Sequence, residues 1–319
     1  MNIVVLEAHT ADQGHLHWNA LKEFGKVTLH PRSTRRQTLE RIADAEVVVV
    51  NKTRVDAEFL DRAPKLRFVT ILATGYNTID LDAVRARGVV VSNAPGYSTE
   101  GVAQHVFAML LSFRNRVRDH HLSVQRGDWA TAPDFCYALS PIYELKGKTL
   151  GIYGFGQIGQ RVAEIGAVFG MTILAHRRHP DPDAHPNVRF VDATTLLRES
   201  DVLTLHAPLN EESRDFIRTE HLKMMKPSAL LVNTARGGLV VEADLRTALM
   251  NRTIRGACLD VLSAEPPKRG NVLMDAPNCL ITPHIAWLSV ESRRRLMDIT
   301  ARNIRAFAEG NPQNRVDTP

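Results

Sequence analysis

The sequence predicts an α/β protein built from two doubly wound parallel-sheet, Rossmann-like domains. Three observations carry the prediction. Short β-branched runs alternate with amphipathic helical stretches from one end of the chain to the other. The runs are continuously apolar rather than alternating, as suits parallel strands buried on both faces. A chain of 319 residues is also long for one hydrophobic core and comfortable for two domains.

Strands are expected at 3–6, 47–50, 68–72 and 89–91, then at 150–153, 173–175, 202–206, 230–233 and 280–282. The helices between them are the crossovers that parallel strands require. A long helix opens near Ser98 or Thr99, with Val102, His105, Val106, Met109, Leu110 and Phe113 on one face, and bridges the two domains. The stretch after it carries Gly127, Pro133 and Pro141 and reads as an irregular excursion before the strand that follows Gly147. A last helix spans 289–309 and stops at Gly310 and Pro312, a normal C-terminal stop. Because it follows the final strand of the second unit, it is expected to cross back to the first. The division is then a discontinuous substrate-binding domain, 1–98 plus 289–319, around a dinucleotide-binding domain, 99–288.

Apolar residues make up 44% of the chain and charged residues 24%, the balance of a packed globular protein. The N-terminus, MNIVVLEAHT, has no basic segment before its short apolar run, and no apolar stretch reaches membrane-spanning length. A cytoplasmic protein is therefore expected. Cys136, Cys258 and Cys279 are scattered and form no CxxC pair, so neither a disulfide framework nor a metal site is expected. The net charge of +5 invites a nucleic-acid reading. The basic residues are spread along the chain, however, and Arg293, Arg294 and Arg295 fall in a helical pattern where a solvated face explains them. An anionic substrate and an anionic cofactor account for the balance equally well.

The sharpest local signal is Gly151-Ile-Tyr-Gly154-Phe155-Gly156-Gln157-Ile158-Gly159. Glycines alone signal only turns, but these follow an apolar strand and open a helix, the context of dinucleotide binding. Gly154 permits the tight turn, Gly156 lets backbone approach a pyrophosphate, and Gly159 lets helix pack on strand. The helix N-terminus adds N–H donors and partial positive charge. The next strand ends in His176-Arg177-Arg178-His179. Arg177 stands eighteen positions after Gly159, where an NAD site usually sets an acid against the ribose 2′-hydroxyl. Arg177 and Arg178 are either a solvated basic turn or a 2′-phosphate clamp. The position favours NADP(H), with NAD(H) as the alternative.

Three more segments end apolar strands with polar residues: LLVNTARGG with Arg236, GACLDVLSAEPP with Asp260 and Glu265, and LITPHIAW with His284. In a doubly wound sheet such ends gather on one edge. Singly, Arg236 reads as a surface ion pair, Glu265 as a loop acid and His284 as a capping residue. Together they are the parts needed to reduce a 2-keto acid. An Arg clamps the carboxylate and polarises the carbonyl, a His moves the proton, and a carboxylate orients the His and stabilises its charged form.

These segments join ATGYNTIDL (73–81), APGYSTEGVAQHVFAMLL (94–111), GFGQIG (154–159), HAPLNEE (206–212), NTARGG (233–238), DVLSAEP (260–266) and TPHIAW (282–287). With them the chain resembles the D-isomer-specific 2-hydroxyacid dehydrogenase family over essentially its whole length. The resemblance implies two similar α/β domains flanking a cleft, with Arg236, Glu265 and His284 as the catalytic set. It further implies that the N–H groups of Thr74 and Gly75 bind the substrate carboxylate. Thr99, Ala207, Pro208, Thr234, Ala235 and Asp260 would line the cofactor, with Asp260 near the nicotinamide amide. The helix from Thr99 and the arm after it would form a homodimer interface.

DFCY (134–137) and the HIAW ending resemble the bacterial glycerate dehydrogenase and hydroxypyruvate reductase branch. Arg177 departs from the family's usual acid and resembles the NADPH-using glyoxylate and hydroxypyruvate reductases. Trp287 near the site suits a small substrate such as glyoxylate or hydroxypyruvate. An NAD-dependent relative with another substrate is the alternative. Formate dehydrogenases share the fold but resemble a Gln–His pair, which Glu265 argues against. Dinucleotide-sensing corepressors resemble the chain too, but carry long tails where this sequence ends soon after its last helix.

Overall fold

The computed structural model describes residues 1–318 apart from 15 and 17. The chain divides into two compact units, one of Met1–Ser98 with Trp287–Pro319 and one of Thr99–Ala286. Each unit is an α/β layer structure around one parallel sheet.

The first sheet comprises β1 (Asn2–Val5), β2 (Lys26–Leu29), β3 (Val47–Val50), β4 (Phe68–Ile71) and β5 (Val90–Ser92), in the order β2-β1-β3-β4-β5. Every pairing is parallel, and the order is the flavodoxin-like doubly wound one. Strand β3 shows why its sequence is four valines. Val47 and Val49 enter one core with Ile3, Val5 and Phe68, while Val48 and Val50 enter the other with Val4, Val69 and Ile71. A two-residue period with both faces covered leaves no place for a polar side chain.

The second core of this unit is completed from the far end of the chain. Helix Val290–Ala308, capped by the Ser289 hydroxyl on Ser292 N–H at 3.1 Å, contributes Leu296 and Ile304. Phe307 stacks on Phe68 with ring centroids 4.5 Å apart. Beyond the helix, Asp317 accepts the Val91 N–H at 3.0 Å and pairs with Arg315 at 2.6 Å. Burial disfavours the Asp317 carboxylate, but these partners outweigh it and hold the group below its usual range.

The second sheet comprises β6 (Thr149–Tyr153), β7 (Thr172–His176), β8 (Arg189–Phe190), β9 (Val202–Leu205), β10 (Leu230–Asn233), β11 (Gly256–Leu259) and β12 (Cys279–Ile281), in the order β12-β11-β10-β9-β6-β7-β8. It too is wholly parallel. Winding outward in both directions from the β6–β9 pair gives the dinucleotide-fold order, with its switch point between those strands. Helix Thr99–Asn115 packs on helix Gln157–Val168 and on β11, placing Ala103, Val106, Phe107 and Leu110 in the core beneath the sheet.

Two strands lie outside the runs expected from sequence. β2 is an edge strand with Lys26 and Leu29 exposed, and β8 has only two residues; neither is covered on both faces, so neither is continuously apolar. Helix Val117–Gln125 occupies part of the stretch expected to be irregular. No helix among the described residues is long and apolar enough to cross a membrane.

The exit of β9 is fixed by close packing. Gly154, at the end of β6, has φ +95°, and a Cβ there would collide with the backbone of His206 and Ala207. Only glycine meets both demands. His206 Nε2 lies 2.9 Å from the buried Thr204 hydroxyl, and the protein packed around the imidazole pushes it down from 6.5 to about 3. Below pH 6.5 the unfolded chain takes up a proton here that the native chain refuses, so stability falls with pH until about 3 and then levels. Urea denaturation across that window is expected to show a shallower loss in His206→Asn than in the parent protein. Parallel slopes would rule His206 out as a source of acid sensitivity.

Candidate active site

The glycine loop sits at the switch point of the second sheet. Gly154 N–H donates to His176 O at 3.0 Å, and the first helical bond runs from Gln160 N–H to Gly156 O at 2.9 Å. The N–H groups of Gln157, Ile158 and Gly159 therefore have no acceptor within the helix. A Cβ at Gly156 would meet open space, whereas one at Gly159 would collide with Gly154 O. The loop is thus open on the side of the helix N-terminus and closed on the side of the strand. Phe155 is buried and turns away, packing edge-on against His185 and Phe190. Across the crevice, Ala207 and Pro208 follow β9, and Pro208 O accepts the Ser213 hydroxyl at 2.6 Å. After β10, Thr234 is 8% exposed and its hydroxyl has no hydrogen-bond partner among the described residues. An orphaned buried hydroxyl, free helix N–H donors and an unfilled space over Gly156 together fit a dinucleotide.

At the end of β7, Arg177 and Arg178 are exposed. Arg178 pairs with Glu212 from the loop after β9; Arg177 has no acidic partner among the described residues. The two arginines are marked by their place after β7, whereas nothing local marks the carboxylate, which lies thirty-four residues beyond Arg178.

The adjacent ends of β10, β11 and β12 carry Arg236, Asp260 with Glu265, and His284 respectively. Asn233 shapes the first of these. Its side chain donates to Arg236 O at 2.9 Å and accepts from Ala235 N–H at 3.0 Å, fixing the turn that presents Arg236. The guanidinium donates only to Ala235 O, at 2.7 Å, and meets no carboxylate among the described residues. A Cβ on Gly237 would collide with the backbone of Leu262 and Ser263, so this glycine lets the turn press against the loop that bears Glu265. There Leu262 N–H donates to Glu265 Oε1 at 3.0 Å. That bond leaves Oε2 to meet His284 Nδ1 at 2.6 Å. The imidazole Nε2 has no partner among the described residues.

His284 has φ +55°, the left-handed region that non-glycine residues seldom occupy. The conformation is held by Asp260. His284 N–H donates to Asp260 O at 2.8 Å, and the Asp260 carboxylate accepts the Thr282 hydroxyl at 2.5 Å and the N–H groups of Ile285 and Ala286, each at 2.9 Å. Residues on both sides of His284 are thus tied to one acid. The resemblance to the family set Asp260 beside the cofactor amide. In the structure its side chain has 0% exposure and its oxygens are engaged by loop 282–286. Burial works against the charged carboxylate, but His105, Thr282 and the two N–H groups outweigh it and keep Asp260 below its usual range.

Thr99 is the first residue of its helix. Thr74, Gly75 and Trp287 belong to the other unit. Thr74 follows β4; its hydroxyl donates to Ala94 O at 2.8 Å, and its carbonyl accepts Asn93 Nδ2 at 2.7 Å. Trp287 lies edge-on to Tyr97 with centroids 6.1 Å apart. No group of three or more His, Cys, Asp or Glu side chains among the described residues could hold a metal ion.

Comparison with known proteins assigns this geometry to a family. Residues 107–286 match the D-isomer specific 2-hydroxyacid dehydrogenase, NAD binding domain. A hydroxypyruvate reductase of Blautia hydrogenotrophica is 40% identical, over 99% of this chain and 100% of its own. A glycerate dehydrogenase of Methylorubrum extorquens is 42% identical over 89% of each chain. The crystal structure of a D-lactate dehydrogenase from Aquifex aeolicus, complexed with NAD and lactic acid, superposes with a TM-score of 0.87 at 28% identity, covering 100% of both chains. The chain belongs to the D-isomer-specific 2-hydroxyacid dehydrogenase family and is an oxidoreductase of the nicotinamide dinucleotide-dependent kind.

Proposed function

We propose that the protein reduces a small 2-keto acid, glyoxylate or hydroxypyruvate, to the D-2-hydroxy acid, glycolate or D-glycerate, preferring NADP(H) to NAD(H), with His284 as proton donor. The observation that carries this reading is the His284–Glu265 pair, in which Nδ1 is engaged at 2.6 Å and Nε2 is left open. An imidazole whose Nδ1–H is held by a carboxylate exchanges protons through Nε2.

When bound, the cofactor supplies hydride to the carbonyl carbon. The protein supplies everything else. His284 as imidazolium gives its Nε2 proton to the carbonyl oxygen and becomes neutral; the reverse reaction returns the proton to the same nitrogen. Glu265 stabilises the charged ring and fixes its orientation. The unpaired Arg236 guanidinium suits a two-point contact with the substrate carboxylate. Thr74 and Gly75 are assigned to that carboxylate through their N–H groups, and Trp287 to the limit on substrate size. The relatives named hydroxypyruvate reductase and glycerate dehydrogenase support the choice of substrate.

For the cofactor, the N–H groups of Gln157, Ile158 and Gly159 are assigned to the pyrophosphate, with Gly154, Phe155 and Gly156 shaping the loop. Thr99, Ala207, Pro208, Thr234 and Ala235 line the remainder, the Thr234 hydroxyl gaining the partner it otherwise lacks. Asp260 is assigned to the nicotinamide end through the loop it holds. Arg177 and Arg178 are assigned to the 2′-phosphate, which would compete with Glu212 for Arg178 while Arg177 has no acidic partner among the described residues.

We also propose a homodimer through helix Thr99–Asn115 and the arm that follows. Val117, Trp129, Phe135 and Ile142 expose large apolar surface there.

The decisive measurement is kcat/KM for NADPH and NADH against glyoxylate, hydroxypyruvate and pyruvate. Glyoxylate and hydroxypyruvate with NADPH are expected to lead, and His284→Ala to cut turnover by roughly a hundredfold or more. Near-normal turnover in that variant would remove His284 from the mechanism. Arg177→Asp combined with Arg178→Gln is expected to swing preference toward NADH; an untouched NADPH preference would refute the 2′-phosphate assignment. Sedimentation velocity is expected to give a dimer, and a monomer at micromolar concentration would refute the proposed interface.

A further inference from the structure

We infer that His105, on helix Thr99–Asn115, is a positioning residue for His284, acting through Thr282 and Asp260. The inference rests on the acid/base reading of His284. The Thr282 hydroxyl has one hydrogen and two strong neighbours, Asp260 Oδ1 at 2.5 Å and His105 Nε2 at 3.0 Å. Asp260 is ionised and can only accept, so the hydroxyl proton goes to it. Thr282 Oγ1 must then accept from His105, which fixes the proton of that ring on Nε2. The result is a directed relay: His105 Nε2–H to Thr282 Oγ1–H to Asp260, with the N–H groups of Ile285 and Ala286 arriving on the same carboxylate.

This relay controls the segment that carries the acid/base residue. His284 sits between Thr282 and Ile285 in a left-handed conformation that an L-residue does not adopt without restraint. Four of the hydrogen bonds that restrain it go to Asp260, which belongs to the neighbouring strand end. Among the described residues, His105 is the one helix side chain with a nitrogen donor that reaches this arrangement, its Nε2 lying 3.0 Å from Thr282 Oγ1 and 3.5 Å from Asp260 Oδ1. Its helix is a rigid support, packed on β11 and on helix Gln157–Val168. One turn further along, Met109 Sδ lies 3.9 Å from the same Thr282 hydroxyl, and Met109 O accepts the Cys258 thiol at 3.8 Å. His105 thus ties loop 282–286 to the helix beneath it, as a supporting group must if a catalytic side chain is to be held within a fraction of an ångström.

Packing alone does not call for a histidine here. The neighbouring face positions are Val102, Val106, Met109 and Leu110, all buried and apolar, and a Leu would fill the space. The polar exception stands where the loop needs a donor.

His105→Phe keeps the volume and removes the donor; His105→Gln keeps an N–H donor at a similar reach. For Phe we expect kcat to fall about tenfold, the kinetic equivalent of one hydrogen bond's geometry. NADPH affinity by fluorescence quenching and the melting temperature should stay close to the parent. The proton NMR signal of the His284 Nδ1–H shared with Glu265, read in the cofactor-free protein, should shift or broaden. Gln should restore both kcat and that signal. Unchanged kcat and signal in His105→Phe would overturn the inference. So would losses that follow the melting temperature and are not rescued by Gln. Full activity in His284→Ala would instead overturn the acid/base reading itself, with the His284 signal in the two His105 variants still reporting on the relay.

Discussion

The carboxylate of Asp260 has no exposed surface, yet it stays charged because four donors converge around it. Moving an ionised group out of water is costly unless hydrogen bonds replace the lost hydration. Here the replacements are the Thr282 hydroxyl and two backbone N–H groups, with His105 beyond them. That same requirement shapes the loop. The N–H groups reach one carboxylate only if the chain doubles back, and it does so at His284. The buried charge and the left-handed histidine are therefore one feature. The Glu265 contact depends on it, because the imidazole faces Glu265 only while its backbone is held in that turn.

A similar economy operates on the neighbouring strand ends. Asn233 organises the turn before Arg236, and Gly237 admits the loop that turns Glu265 toward the histidine. In most of a folded protein, buried polar atoms find partners within the chain. Around the switch point of the second sheet some are left over among the described residues: the Thr234 hydroxyl has no partner, the first N–H groups of helix Gln157–Val168 have none within the helix, and the guanidinium of Arg236 meets only a backbone carbonyl. Their coincidence on one sheet edge is what distinguishes a site from a collection of ordinary surface groups.

Much of this was legible in the sequence, and the reasons differ from element to element. β3 is apolar at every position and β10 at every position but its last, Asn233, because both faces are covered, so they announce themselves. β2 and β8 lie at sheet edges, where half-exposure breaks the run, and they stay silent. Helix Val117–Gln125 exposes Val117, Leu122 and Val124, so its apolar residues do not form the inward stripe by which helices are found. The Arg–Glu–His set was legible because each member follows a strand end. The roles of His105 and Thr282 were not. A histidine on an apolar helix face and a threonine after a strand carry no local mark of the acid between them. Their meeting depends on packing of segments more than 170 residues apart. Glu212 opposite Arg178 is hidden for the same reason.

The discontinuity of the first unit has a consequence for how the chain is made. The second unit is one uninterrupted segment, Thr99–Ala286, with its whole sheet available once that segment has left the ribosome. The first unit cannot close its core until Leu296, Ile304 and Phe307 arrive, and the edge of β5 waits for Asp317. Synthesis from the N-terminus therefore gives the dinucleotide-type unit every contact it needs while strands β1 to β5, among the earliest residues made, still lack one wall. Those five strands, with an unfilled apolar face, are the part of the nascent chain most in need of protection from association. The last thirty residues act less as a tail than as the keystone of the domain made first.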